Sequence, residues 1–181
     1  MKKIILFLSL GIAICVTQAQ IIQKEIPADY GYLVNLGQTV PDFDIVLLDG
    51  TQTNMQALRG NVVMLQFTAS WCSVCRKEMP HIEKEIWQKH KNNPRFALYG
   101  IDLKEVKETI AQFQKQTKIT YPLALDPDGK IFFTFAAQDA GVTRNVIVDK
   151  SGKIVYMTRL YKEEEFDEMK KVIEGLLSDG K

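Results

Sequence analysis

Between Val62 and Ile86 the chain changes its hydrophobic period, and two cysteines sit at the change. Val62-Val63-Met64-Leu65-Gln66-Phe67 is an apolar run of β-forming length, which reads as a strand buried on both faces. It leads directly to Trp71-Cys72-Ser73-Val74-Cys75. From Cys75 onward Met79, Ile82 and Ile86 recur at helical spacing, with Arg76, Lys77, Glu83, Lys84, Lys89 and Lys91 mostly off that stripe, and Asn92-Asn93-Pro94 closes it. A buried strand that hands the chain to a helix through Cys-x-x-Cys puts a dithiol at a helix N-terminus. The fold has to be built around that junction.

The remaining pattern supplies the other layers. After a mixed lead-in over residues 20–40, in which Tyr30, Tyr32 and Leu33 are predicted to pack on the body, Pro41-Asp42-Phe43 opens the regular part. Phe43, Ile45 and Leu47 alternate before the Asp49-Gly50 turn, and a second strand should follow near Thr51 to Met55. Phe96 to Ile101 reads as another buried strand, and Val106, Ile110 and Phe113 as one face of a helix. Leu123 to Leu125 is a short strand closed by Asp126-Pro127-Asp128-Gly129, and Ile131 to Ala137 a short helix or turn. Asn145 to Asp149 and Ile154 to Thr158 flank Lys150-Ser151-Gly152-Lys153 as a hairpin, and Phe166, Met169, Ile173 and Leu176 mark a closing helix. This order predicts one α/β domain over residues 41–178, a mixed sheet with helices on both faces.

Composition narrows the function classes. The chain has 181 residues with 23 Lys and Arg against 22 Asp and Glu, interleaved throughout, so no nucleic-acid partner is expected. Lys2 and Lys3, the uncharged, largely apolar run Ile4 to Val16 and the small residues Thr17 and Ala19 have the form of a secretory signal peptide over residues 1–19. The 13-residue run is too short to span a bilayer, which needs roughly 20 residues. Cys15 follows Ile14, where lipoprotein signals carry Gly, Ala or Ser, so cleavage after Ala19 is expected rather than acylation of Cys15. The exported chain would be periplasmic, with no integral membrane segment after processing. It would carry 21 basic and 22 acidic residues and two cysteines, Cys72 and Cys75.

A Cys-x-x-Cys pair can be a redox centre, part of a zinc site or a haem attachment. Haem attachment needs His after the second cysteine, and Arg76 stands there. Zinc needs further ligands, and the two histidines, His81 and His90, are nine residues apart on the helix, about 900° of rotation at roughly 100° per residue, hence on opposite faces. A structural disulfide closing so short a loop would add little stability. A redox pair is what the spacing supports. The positive end of the helix favours a thiolate at Cys72, which makes it the nucleophile and Cys75 the resolving thiol.

Phe67-Thr68-Ala69-Ser70-Trp71-Cys72-Ser73-Val74-Cys75-Arg76-Lys77-Glu78-Met79-Pro80 resembles the active-site segment of thioredoxin-like proteins, and within them the exported TlpA/ResA group of thiol-disulfide oxidoreductases. Pro41-Asp42-Phe43, Leu58-Arg59-Gly60 and Ile147-Val148-Asp149-Lys150-Ser151-Gly152-Lys153 fit the same resemblance, which spans roughly residues 37–178. It implies a thioredoxin fold with an N-terminal β-hairpin and a central helical insert, and no cofactor beyond the Cys72–Cys75 disulfide. As partners it implies a membrane thiol-electron donor and periplasmic protein disulfides, cytochrome c precursors among them. The group also has an acid at the place of Glu78 that exchanges a proton with the thiols, and Gln66 stands where thioredoxins have a buried Asp. Trp71 is expected to shield the thiolate and dock substrate. Pro80 should kink the helix.

Two alternatives share the fold. A peroxiredoxin-like thiol peroxidase needs Pro seven residues and Thr or Ser three residues before the nucleophile, where this chain has Leu65 and Ala69. A non-catalytic binding or metallochaperone module needs extra Met or His ligands near the cysteines, whereas Met79 belongs to the core stripe. The resemblance also exposes a departure. A cis-proline is expected opposite the cysteines, six residues before Asp149, and this chain has Thr143 there. A cis bond before a non-proline residue costs about 3–4 kcal/mol, so Val142–Thr143 should be trans, with the Thr143 hydroxyl near the thiols and within reach of substrate.

Overall fold

The computed structural model describes residues 25–178. The predicted signal peptide and Cys15 lie outside them. Strands β1 (Asp44–Val46) and β2 (Gln52–Asn54) form a separate antiparallel hairpin. Its turn works because Gly50 takes a positive φ of 88° while Asp49 Oδ1 accepts the Thr51 amide at 2.8 Å. The main sheet has the order β5-β4-β3-β6-β7, from β3 (Val62–Thr68), β4 (Phe96–Leu103), β5 (Leu123–Asp126), β6 (Arg144–Val148) and β7 (Ile154–Arg159). Strands β3, β4 and β5 run parallel, while β6 pairs antiparallel with both β3 and β7. The strand predicted from the Val62 run is the central one, and every residue of it is buried.

Alternation along β3 assigns the layers. Phe67 packs its ring on Phe132 and Phe135 of α4 (Lys130–Phe135), whereas Gln66 points the other way, to Glu78 of α1 (Ser73–Ile82). Helix α1 runs on through a π-helical turn, Glu83–Trp87, into α2 (Gln88–His90), so the irregularity lies just beyond Pro80. Cys75, Met79, Ile82 and Ile86 are its buried stripe. Helix α5 (Glu163–Ser178) lies beside it, joined by Lys170 Nζ donating to Glu85 at 2.6 Å and by His81 against Tyr161 and Phe166. The insert is α3 (Lys107–Thr117), where Arg76 of α1 stacks over Phe113. This is the architecture implied by the thioredoxin resemblance.

Two expectations about packing are corrected. Leu33 is exposed, because the lead-in is held instead by Tyr30, which donates to Glu165 at 2.6 Å, and by Tyr32, whose hydroxyl donates to the Thr158 carbonyl at 2.6 Å. Val106 is also exposed, because it precedes α3 as its N-cap while Ile110 and Phe113 carry the buried face.

Candidate active site

Cys72 is the N-cap of α1 and Cys75 lies one turn in, joined to it by a disulfide. The Cys75 amide donates to Cys72 Sγ at 3.1 Å, which supplies one of the helix's free N–H groups to the sulfur. Cys72 keeps 7% exposure and Cys75 none. Thr143, just ahead of β6, brings Oγ1 to 3.1 Å from Cys72 Sγ and 3.2 Å from Cys75 Sγ. The Val142–Thr143 peptide is trans.

The turn before Cys72 is pinned through Ser70. Glu105 accepts both the Ser70 amide and its hydroxyl at 2.5 Å, and Arg76 Nε donates to the Ser70 carbonyl at 2.7 Å. All three polar groups of Ser70 are therefore engaged, which leaves Trp71 turned outward, 66% exposed. Leu160, whose amide donates to the Thr143 carbonyl at 3.0 Å, and Val106, next to Glu105, are also exposed apolar residues on segments that touch the redox site.

One turn beyond Cys75, Glu78 is buried against a polar row that crosses the sheet. Gly100, Gln66, Asn145 and Thr158 are register partners on four neighbouring strands. Asn145 Nδ2 donates to Glu78 at 2.7 Å and to Thr158 Oγ1 at 3.0 Å, while Gln66 Nε2 approaches Glu78 at 3.4 Å. The Tyr121 hydroxyl donates to Gln66 Oε1 at 2.6 Å, which turns the amide nitrogen of Gln66 toward the carboxylate. Gly100 lets the Tyr121 ring come close, since a Cβ there would sit 3.3 Å from Tyr121 Cε2 and 2.4 Å from Leu123 Cδ2. Burial raises Glu78 from its usual 4.5 to about 7, and the two amides restrain the rise.

A cysteine pair at a helix N-terminus, the first residue slightly exposed and the second fully enclosed, is arranged for stepwise disulfide exchange. The sequence of residues 35–173 matches the family model Redoxin. The chain belongs to the Redoxin family. Within the family's range of relatives it is 30% identical to thiol-disulfide oxidoreductase ResA of Bacillus cereus over 122 residues, 67% of this chain and 68% of the relative. A solution structure from Bacteroides thetaiotaomicron, provisionally assigned as a protein disulfide isomerase, is 57% identical, with a TM-score of 0.80 over 83% of this chain and 94% of that one. A Chlorobium tepidum structure provisionally assigned as thiol:disulfide interchange protein DsbE shares the fold at 22% identity, with a TM-score of 0.68 over 80% of this chain and 99% of that one. This Redoxin-family chain is a thioredoxin-like thiol-disulfide oxidoreductase.

The structure brings Cys72, Cys75 and Thr143 together in this oxidoreductase, sets Glu78 one helical turn past Cys75 against Asn145 and Gln66, and leaves Trp71 exposed. His81 and His90 stand apart, the first on Tyr161 and the second against Phe96. Sequence reasoning missed Asn145, Tyr121 and Glu105. Asn145 sits between a buried cation and an apolar strand, where an amide is unexpected, and that was the one available signal. Nothing local marks Tyr121 or Glu105. Among the described residues no helix is long and apolar enough to cross a membrane.

Proposed function

We propose that this oxidoreductase is exported and reduces accessible disulfides of other exported proteins, with Cys72 attacking and Cys75 resolving. The supporting observation is that Cys72 keeps a small exposure where Cys75 has none, with exposed apolar residues on neighbouring segments. A substrate sulfur can reach only Cys72, and Trp71, Leu160 and Val106 offer apolar surface that a protein segment would cover. Cys72 thiolate attacks a substrate disulfide, forms a mixed disulfide and expels one substrate thiolate. Cys75 then loses its proton, attacks Cys72 Sγ and expels the second, so two electrons pass from the dithiol to the substrate. Glu78, held near 7, is suited to take the Cys75 proton at neutral pH. The N-terminal residues support export, and the resemblance to the TlpA/ResA group supports a membrane thiol donor and cytochrome c precursors as substrates.

The test uses protein recovered from the cell envelope, whose first residue should be Gln20. Cys72→Ser should lose all turnover of a model protein disulfide. Cys75→Ser should stop at a covalent mixed disulfide visible by mass spectrometry. A Cys75→Ser protein that turns over as well as the parent would overturn the assignment, and an acylated Cys15 or an intact Met1 would overturn the export reading.

A further inference from the structure

One hydroxyl touches both members of the redox pair. Thr143 is buried, and the sulfurs of Cys72 and Cys75 are the only hydrogen-bond partners of its Oγ1 among the described residues. Its place is fixed from two sides. The Thr143 carbonyl accepts the Leu160 amide at 3.0 Å, and the next residue, Arg144, is registered against Phe67 of β3 and Arg159 of β7. We infer that Thr143 is a catalytic residue of the exchange, its hydroxyl serving the two sulfurs in turn. This inference rests on the thiol-exchange reading above and names the group that stabilises each thiolate.

A threonine hydroxyl has one hydrogen to give and two lone pairs to accept with. A disulfide sulfur is a weak acceptor, and a thiolate is a strong one because the bond becomes charge-assisted. The contact therefore strengthens when the pair is reduced. In the dithiol, Thr143 donates to the Cys72 thiolate beside the Cys75 amide, while the Cys75 thiol can donate to Thr143 Oγ1. When Cys72 attacks a substrate disulfide, the new S–S bond removes the charge from Cys72 Sγ and the electron pair of the broken bond leaves on the first substrate thiolate. The hydroxyl is then free to rotate toward Cys75. Cys75 loses its proton to a base, with Glu78 on the same buried helix face clamped by Gln66 and Asn145. The Cys75 thiolate, now holding the hydroxyl's hydrogen bond, attacks Cys72 Sγ and expels the second substrate thiolate. In the disulfide Oγ1 stands within 0.1 Å of equidistance from the two sulfurs, so one hydroxyl lies beside both reacting atoms. A proline at this position could donate nothing.

Thr143→Val keeps the shape and β-preference of the side chain and removes the hydroxyl, and Thr143→Ser keeps the hydroxyl. Three readouts apply: thiolate titration of Cys72 by ultraviolet absorbance, reduction potential against dithiothreitol or glutathione buffers, and the rate of mixed-disulfide formation with a model protein disulfide. In Thr143→Val the Cys72 midpoint should rise by about one pH unit, the loss of one hydrogen bond to a charged group. Attack near neutral pH should slow several-fold, and the potential should become more negative because the reduced state loses more than the disulfide does. Thr143→Ser should restore most of each. A Thr143→Val protein with the parent midpoint and potential, or a Thr143→Ser protein as altered as Thr143→Val, would overturn the inference. A parent that reduces no protein disulfide while Thr143→Val shifts midpoint and potential would sink the proposed function and leave the role of Thr143 supported.

Discussion

Glu78 on α1 and Asp102 near the end of β4 are both buried carboxyl groups close to the Cys-x-x-Cys turn, and their surroundings differ. Glu78 has two side-chain amides aimed at it, from Asn145 and Gln66, and rises to about 7. Asp102 has no amide or hydroxyl donor on either oxygen; burial, the charge and side-chain hydrogen bond of Glu105 and the charge of Asp126 raise it from 3.8 to about 8. Burial lifts both, but amide donors oppose the lift at Glu78 while like charges add to it at Asp102. A donor-clamped carboxyl can gain and lose a proton near neutrality, whereas an unclamped one among acids keeps it. Asp126 shows the structural use of a buried acid in the same region, since it accepts the Ile131 and Phe132 amides and caps α4.

The contrast has its largest consequence in turnover. Glu78→Gln should slow reduction of a protein disulfide about a hundredfold and remove the rise in rate expected of the parent as pH passes about 7, where Glu78 becomes a base. Asp102→Asn should stay within about twofold of the parent. Equal losses in the two variants, measured as pH-rate profiles, would abolish the distinction.

Stability should respond in the reverse order. A carboxyl raised in the folded state leaves the native protein holding more protons than the unfolded chain between the two pKa values, so stability falls as pH rises across that window. For Asp102 the window runs from 3.8 to about 8. Asp102→Asn, whose amide can donate to the neighbouring carboxylates, should flatten this fall and be more stable than the parent by about 2 kcal/mol above pH 8. Denaturant unfolding at several pH values checks it, and a variant with the parent's slope would place the pH dependence elsewhere.

The amide clamp itself gives the smallest effect. Asn145→Val removes the shorter of the two bonds to Glu78 and should move the Glu78 limb of the pH-rate profile up by about one unit without eliminating it. An unmoved limb would mean that burial alone sets the proton affinity of Glu78.

The sequence by itself determined the elements and the reacting pair. Period changes and turn residues located every strand and helix of the sheet domain to within a few residues, because side-chain burial repeats with the geometry of each local element. The Cys72–Cys75 spacing, a junction property of one strand and one helix, was legible for the same reason. Tertiary structure alone decided the surroundings of that pair. Gln66, Asn145 and Thr158 become one polar row only through the register of β3, β6 and β7, and Tyr121 enters it through the gap at Gly100. Glu105 reaches Ser70 from 35 residues away, and Thr143 reaches Cys72 from 71. Strand pairing and helix docking set these distances, and contacts so remote along the chain leave no periodic trace in it. Resemblance could point to the position of Thr143, but the placing of the segment that leads into β6 beside the start of α1 put its hydroxyl against both sulfurs.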